Sequence, residues 1–243
     1  MGSNRCRKFF AIFVFRRPAN QQKPMRLKLT LLTILSVVSL TTFAQSGFPF
    51  DDEIQAFKHE DSLNFPKRNG ILFIGSSSIR KWTDLEQRFA GKPIIRRGVG
   101  GCEISQLVKY YTPYILFPYH PRKIFIYAGE NDIASGKPAD SVYDNFKTLW
   151  VMIRTKLPKA KIYYMSPKYA PVRVQFRPEV EKANKMVKKY LAGKPNSRYL
   201  DMNPSIYKRG TTTPDSSLFE SDYLHLNSKG YDRWQKVLKP YVN

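Results

Sequence analysis

From residue 71 onward, short apolar runs alternate with longer amphipathic stretches. Ile71–Gly75, Pro93–Arg97, Lys123–Ala128, Lys161–Ser166 and Arg198–Met202 are runs of strand length bounded by Gly, Pro or polar residues. The unbroken apolar run at Ile71–Gly75 is expected of a strand covered on both faces. Between them apolar residues recur at helical spacing. Ile79, Trp82, Leu85 and Phe89 form one stripe, and Val142, Phe146, Leu149, Trp150, Ile153 and Leu157 form a stronger one. Val180, Ala183, Met186, Val187, Tyr190 and Leu191 give a third, and Tyr231, Trp234, Val237 and Leu238 the last. Residues 45–69 precede this alternation and read as a polar lead-in. Strands that alternate with helices predict a three-layer α/β/α sandwich around a five-stranded parallel sheet. In such sheets ligands bind beyond the carboxyl ends of the strands, so those ends are where chemistry is expected.

The first strand runs into "GSSS" (Gly75–Ser78), and the second into "RGVGGCE" with Gly98, Gly100 and Gly101. The third runs into "GENDIASG" with Gly129, Glu130, Asn131 and Asp132. Near the carboxyl end stands "SDYLHLN", with Asp222 and His225 three residues apart. Taken singly, these are helix caps and turns. Together they hold every part of an acyl transfer. A serine hydroxyl needs a base, which His225 can be, and Asp222 can orient that ring and stabilise its cation. A spacing of three lets Asp222 and His225 share one loop turn, ahead of a helix starting near Ser228. The oxyanion needs preorganised donors, and the N–H groups of Ser77 and Gly101 and the Asn131 amide are candidates. A glycine at 101 lets backbone approach substrate closely.

These blocks resemble, in order, those of the SGNH (GDSL-type) hydrolase superfamily. "GSSSIRKW" is similar to the family's first block and "RRGVGGCE" to its Asn-x-Gly-x-x-Gly block. "GENDIASG" is similar to its Gly-x-Asn-Asp block and "DYLHLN" to its Asp-x-x-His block. The resemblance implies a flavodoxin-like fold over residues 70–243, with Ser77 as nucleophile, Asp222 and His225 completing the triad, and Ser77, Gly101 and Asn131 as the oxyanion hole. It leaves Ser76 and Ser78 as a structural hydroxyl and a helix cap. Two positions depart from the family pattern: Ser76 stands where Asp is usual, and Arg96 where Asn is common. Neither position carries a proton in the mechanism. The implied activity is ester hydrolysis through an acyl-enzyme, with a short acyl group such as acetyl on a carbohydrate or small ester. A lysophospholipase or thioesterase-like activity, and a secreted ligand-binding domain without catalysis, are the alternatives.

Composition changes this picture in three places. Residues 1–44 hold eight Lys or Arg and no acid, so the remainder carries +14 of the net +22. Arg26 and Lys28 precede the uncharged stretch "LTLLTILSVVSLTTFA", which is short for a bilayer span and ends in small residues suited to signal peptidase. A start at Met25, cleavage after Ala44 and export to the periplasm or cell exterior are therefore expected, without a stable membrane span; an uncleaved anchor is the alternative. Of the cysteines Cys6 and Cys102, only Cys102 would remain, which excludes an internal disulfide. The histidines His59, His120 and His225 show no ligand spacing, so no metal or other cofactor is expected. Glu130 and Asp132 invite comparison with a glycosidase pair, although an acidic turn beside Asn131 is the simpler reading. The dispersed basic residues carry no nucleic-acid signature, which leaves a small-molecule ester as the expected partner.

Overall fold

The computed structural model describes residues 47–243; the expected export segment lies outside the described residues. The apolar runs form β1 (Ile71–Gly75), β2 (Ile94–Gly98), β3 (Lys123–Tyr127), β4 (Lys161–Met165) and β5 (Ser197–Leu200). All neighbours pair in parallel, in the order β2-β1-β3-β4-β5. β2 starts one residue later than expected because Pro93 has no N–H to give the ladder, while its carbonyl accepts the Ile71 N–H at 2.8 Å. The ends of β3, β4 and β5 also fall short of the expected ones by one or two residues. Four longer helices accompany the sheet: α1 (Asp51–Leu63), α2 (Ala139–Lys156), α3 (Arg177–Leu191) and α4 (Ser228–Val242).

The alternation of side chains along each strand sorts the core into two layers. Leu72, Ile74, Ile124, Ile126, Ile162 and Tyr164 face Ile54 of α1, Phe146 of α2 and Val187 of α3. Ile71, Phe73, Phe125, Tyr163 and Met165 face Trp82 and the α4 residues Trp234 and Leu238. Each such side chain contributes about 1.5–3 kcal/mol by leaving water. The fold is thus the expected three-layer sandwich. No helix among the described residues is long and apolar enough to cross a membrane.

Two expectations need correction. The lead-in at 45–69 contains a helix, α1, whose first turn carries Asp51, Asp52 and Glu53, charges that suit a helix amino terminus. Ile54 and Phe57 give it too few apolar positions for a readable stripe, yet Ile54 is fully buried. The stripe from Ile79 to Phe89 is not one helix. Ser77–Arg80 and Leu85–Arg88 are separate single turns, although all four stripe residues are buried. Helical spacing places side chains on one face, and a turn between two short segments preserves that face.

Candidate active site

β1 delivers the serines through a bend that only glycine permits. Gly75 has φ +134°, and a Cβ there would lie 1.9 Å from the Tyr127 carbonyl oxygen. The Ser76 N–H donates to that same oxygen at 2.8 Å, and the chain then turns into Ser77–Arg80. This geometry gives the three serines different surroundings. Ser76 and Ser78 are buried, whereas Ser77 is only half-buried. Ser76 holds the cap position without a side-chain cap bond, and the Ser78 hydroxyl accepts from Lys168 Nζ at 3.2 Å. The expected side-chain helix cap is therefore absent from both, because the Ser78 side chain turns inward to a buried cation.

Ser77 Oγ lies 2.8 Å from His225 Nε2, and His225 Nδ1 lies 2.6 Å from Asp222 Oδ2. The loop carrying the last two is self-organised. Asp222 Oδ1 accepts the N–H groups of Leu224 and His225, each at 2.9 Å, in a turn that needs Tyr223 at φ 51°. The carbonyl of His225 accepts the Glu220 N–H at 2.8 Å, and α4 begins at Ser228. Burial pushes the His225 pKa below its ordinary value; Asp222 opposes this, but Lys168 and Lys81 add to it. Burial works against the Asp222 carboxylate, yet the His225 ring and the two loop N–H groups outweigh it and hold its pKa below the usual range.

Gly101 stands at φ +71° in the turn after β2, and a Cβ there would meet the Phe50 ring at 3.2 Å. The turn is held from three sides. Val99 N–H donates to the Gly75 carbonyl at 2.8 Å, Gly100 N–H donates to Glu53 Oε2 at 2.8 Å, and the Cys102 carbonyl accepts Asn131 Nδ2 at 3.1 Å. Glu53 also accepts from Arg80 at 2.7 Å, so one α1 carboxylate ties the Ser77 turn to the glycine turn. Arg96 points elsewhere: it donates to Glu86 at 3.3 Å and to the Arg80 carbonyl at 2.8 Å.

Beneath the site lies a buried polar cluster. Lys168 Nζ donates to both Glu130 oxygens, at 2.9 and 3.2 Å, and to the Tyr127 hydroxyl at 3.1 Å; Tyr127 donates to Glu130 as well. Arg173 donates to Glu130 at 3.3 Å and to Asn131 Oδ1 at 3.0 Å. Glu130 is thus committed to cations. Asp132 is fully buried with its carboxylate facing the Ile104 N–H at 3.2 Å, and burial pushes its pKa up to about 6. A glycosidase pair does not describe these two acids, since neither faces an open cleft with a free carboxylate. Lys168 stands just past the end of β4, so the strand-end rule could have found it; Glu53 and Arg173 carried no sequence signal.

A hydroxyl, an imidazole and a carboxylate hydrogen-bonded in line, beside a glycine turn and an amide, can carry out acyl transfer. Residues 73–233 match the GDSL-like lipase/acylhydrolase family. The chain belongs to that family. It is an ester-bond hydrolase of the GDSL type, with the SGNH fold. Among curated relatives it is 24% identical over 173 residues to the platelet-activating factor acetylhydrolase IB subunit alpha1 of Bos taurus, covering 68% of this chain and 71% of that one. A GDSL-like lipase structure from Bacteroides thetaiotaomicron superposes with a TM-score of 0.64 at 17% identity, covering 78% of this chain and 96% of that one. A carbohydrate esterase family 3 structure from Talaromyces cellulolyticus gives 0.57 at 15% identity, over 71% and 95% of the two chains. These structural likenesses speak for the fold.

Proposed function

We propose that this GDSL-type hydrolase is a serine esterase acting through an acyl-enzyme, with a short acyl group such as acetyl on a carbohydrate or small ester as its substrate. The observation that carries the reading is the continuous hydrogen-bonded path from Ser77 Oγ through His225 to Asp222. Ser77 Oγ attacks the ester carbonyl while His225 Nε2 takes its proton. Asp222 holds the ring and stabilises the imidazolium. The oxyanion rests on the N–H groups of Ser77 and Gly101 and on Asn131 Nδ2. His225 returns the proton to the leaving alcohol, and water repeats the sequence in reverse roles to release the acid. The Phe50 ring against Gly101 supports a small acyl group, because it stands beside the glycine turn. The acetylhydrolase relative supports the same choice.

One observation favours a second reading. Val172 and Tyr223 are each 51% exposed, and the Val172 N–H donates to the Tyr223 carbonyl at 3.3 Å, so two exposed residues with large hydrophobic side chains adjoin at the edge of the His225 loop. Such an edge suits a longer acyl chain, as a lysophospholipase or thioesterase would need. Rates on acetyl, butyryl and long-chain esters, acetylated sugars and lysophospholipid separate the two readings. For the triad, Ser77→Ala is expected to abolish hydrolysis while Ser76→Ala and Ser78→Ala retain it, and a serine-directed organophosphonate is expected to label Ser77. Normal turnover by Ser77→Ala would sink the assignment. Export is part of the proposal: residues 26–44 are expected to be missing from the exported protein, and its amino-terminal sequence is expected to begin near Gln45.

A further inference from the structure

An asparagine that stabilises an oxyanion must present its nitrogen, not its oxygen, and the two ends of the amide differ little in shape. Asn131 is only half-buried, at the first turn after β3, so packing alone does not choose between them. Two polar neighbours do. Asn131 Nδ2 donates to the Cys102 carbonyl at 3.1 Å, and Asn131 Oδ1 accepts from Arg173 Nη1 at 3.0 Å. Turning the amide over would set oxygen against the Cys102 oxygen and NH₂ against the guanidinium, which has no acceptor to offer. The amide therefore has one satisfied orientation. In that orientation the second Nδ2 proton is not needed by Cys102.

Arg173 is itself anchored. The same Nη1 lies 3.3 Å from Glu130 Oε1, and Glu130 is held in the interior by Lys168 and Tyr127. The short turn that carries Arg173, Pro171–Phe176, is tied to the His225 loop through Val172 and Tyr223. A buried carboxylate thus fixes a cation, and the cation fixes an amide. A guanidinium on the amide oxygen also draws electron density from nitrogen, which strengthens the remaining N–H as a donor.

We propose that Arg173 is a positioning residue for the oxyanion hole: it sets the orientation of the Asn131 amide and, through Glu130, couples that orientation to the buried Lys168 cluster. The proposal rests on the reading of Asn131 as an oxyanion donor given above. Its effect belongs to the transition state, because the developing negative charge needs the Nδ2 proton more than the neutral ester does.

The test is a double-mutant cycle on the full chain, with kcat and KM measured on a small acetyl ester for the wild type, Asn131→Ala, Arg173→Met and the double variant. Asn131→Ala is expected to lower kcat by about 10²–10³. Arg173→Met is expected to lower kcat by about 10-fold, the scale of one hydrogen bond to a charged group, with KM almost unchanged. In the Asn131→Ala background the Arg173 substitution should then have no further effect on kcat. Arg173→Lys, which can still donate to Oδ1, should restore most of the loss, and it guards against a folding artefact in the Met variant. An unchanged kcat for Arg173→Met, a loss confined to KM, or an equal loss in both backgrounds would overturn the positioning role. An inert Asn131→Ala would overturn the oxyanion reading itself, so the two failures are distinguishable.

Discussion

His225 sits between opposing influences, and in the proposed mechanism their balance sets the pH range of the enzyme. Asp222 at 2.6 Å favours the imidazolium, whereas burial, Lys168 and Lys81 disfavour it, and the disfavouring side wins. As the proposed general base, His225 works as neutral imidazole, so a depressed pKa extends activity to lower pH. The acid limb of kcat/KM is therefore expected to have its midpoint below the ordinary histidine value of about 6.5. Lys81→Met removes one depressing charge and should move that midpoint upward. The comparison belongs at low ionic strength, because Lys81 is partly exposed and salt screens it. A midpoint above the ordinary value in the unaltered enzyme would mean that Asp222 outweighs burial. Asp222 and His225 could be named from the sequence because they share one loop turn. The direction of the pKa could not, because burial, its largest cause, and the approach of Lys168 from beyond β4 are both set by tertiary packing.

At the level of elements, the site is built where β1, β2 and β3 end level with one another: Gly75 pairs with Gly98 on one side and with Tyr127 on the other. That alignment sets the Ser77 turn, the glycine turn and the Asn131 helix side by side. α1 then braces the first two. Glu53 accepts from Gly100 N–H and from Arg80, and Phe50 covers Gly101. Glu53→Ala is expected to loosen the glycine turn and lower kcat by about 10-fold, in the range that small displacements of catalytic groups cost. Glu53→Gln should lose less, since its amide oxygen can still accept the Gly100 N–H. Steady-state kinetics on a small ester checks both, and an Ala variant with unchanged kcat would remove α1 from the catalytic framework.

Across the whole molecule, the layer containing α4 holds the serine turn from behind. Trp82 stacks on Tyr231 with ring centroids 4.8 Å apart, and the Tyr231 hydroxyl donates to the Ser78 carbonyl at 2.9 Å. Residues 153 positions apart are thereby locked around the serine turn, which the chain alone does not announce. Trp82→Ala should cost about 3–5 kcal/mol in denaturant unfolding, since it empties a fully buried aromatic site. A cost under about 1 kcal/mol would mean the layer repacks freely. By itself the sequence determined the five strands, the parallel sandwich and the order of the candidate site residues, because periodicity, strand-end motifs and a three-residue loop spacing are local properties. Only the tertiary structure decided that residues 51–63 form a helix bracing the glycine turn, that the Ile79–Phe89 stripe breaks into two turns, and that Glu130, Lys168 and Arg173 meet beneath Asn131. Those outcomes depend on charges and rings brought together from separate crossovers, and a pairing between distant segments leaves no period in the chain that could reveal it.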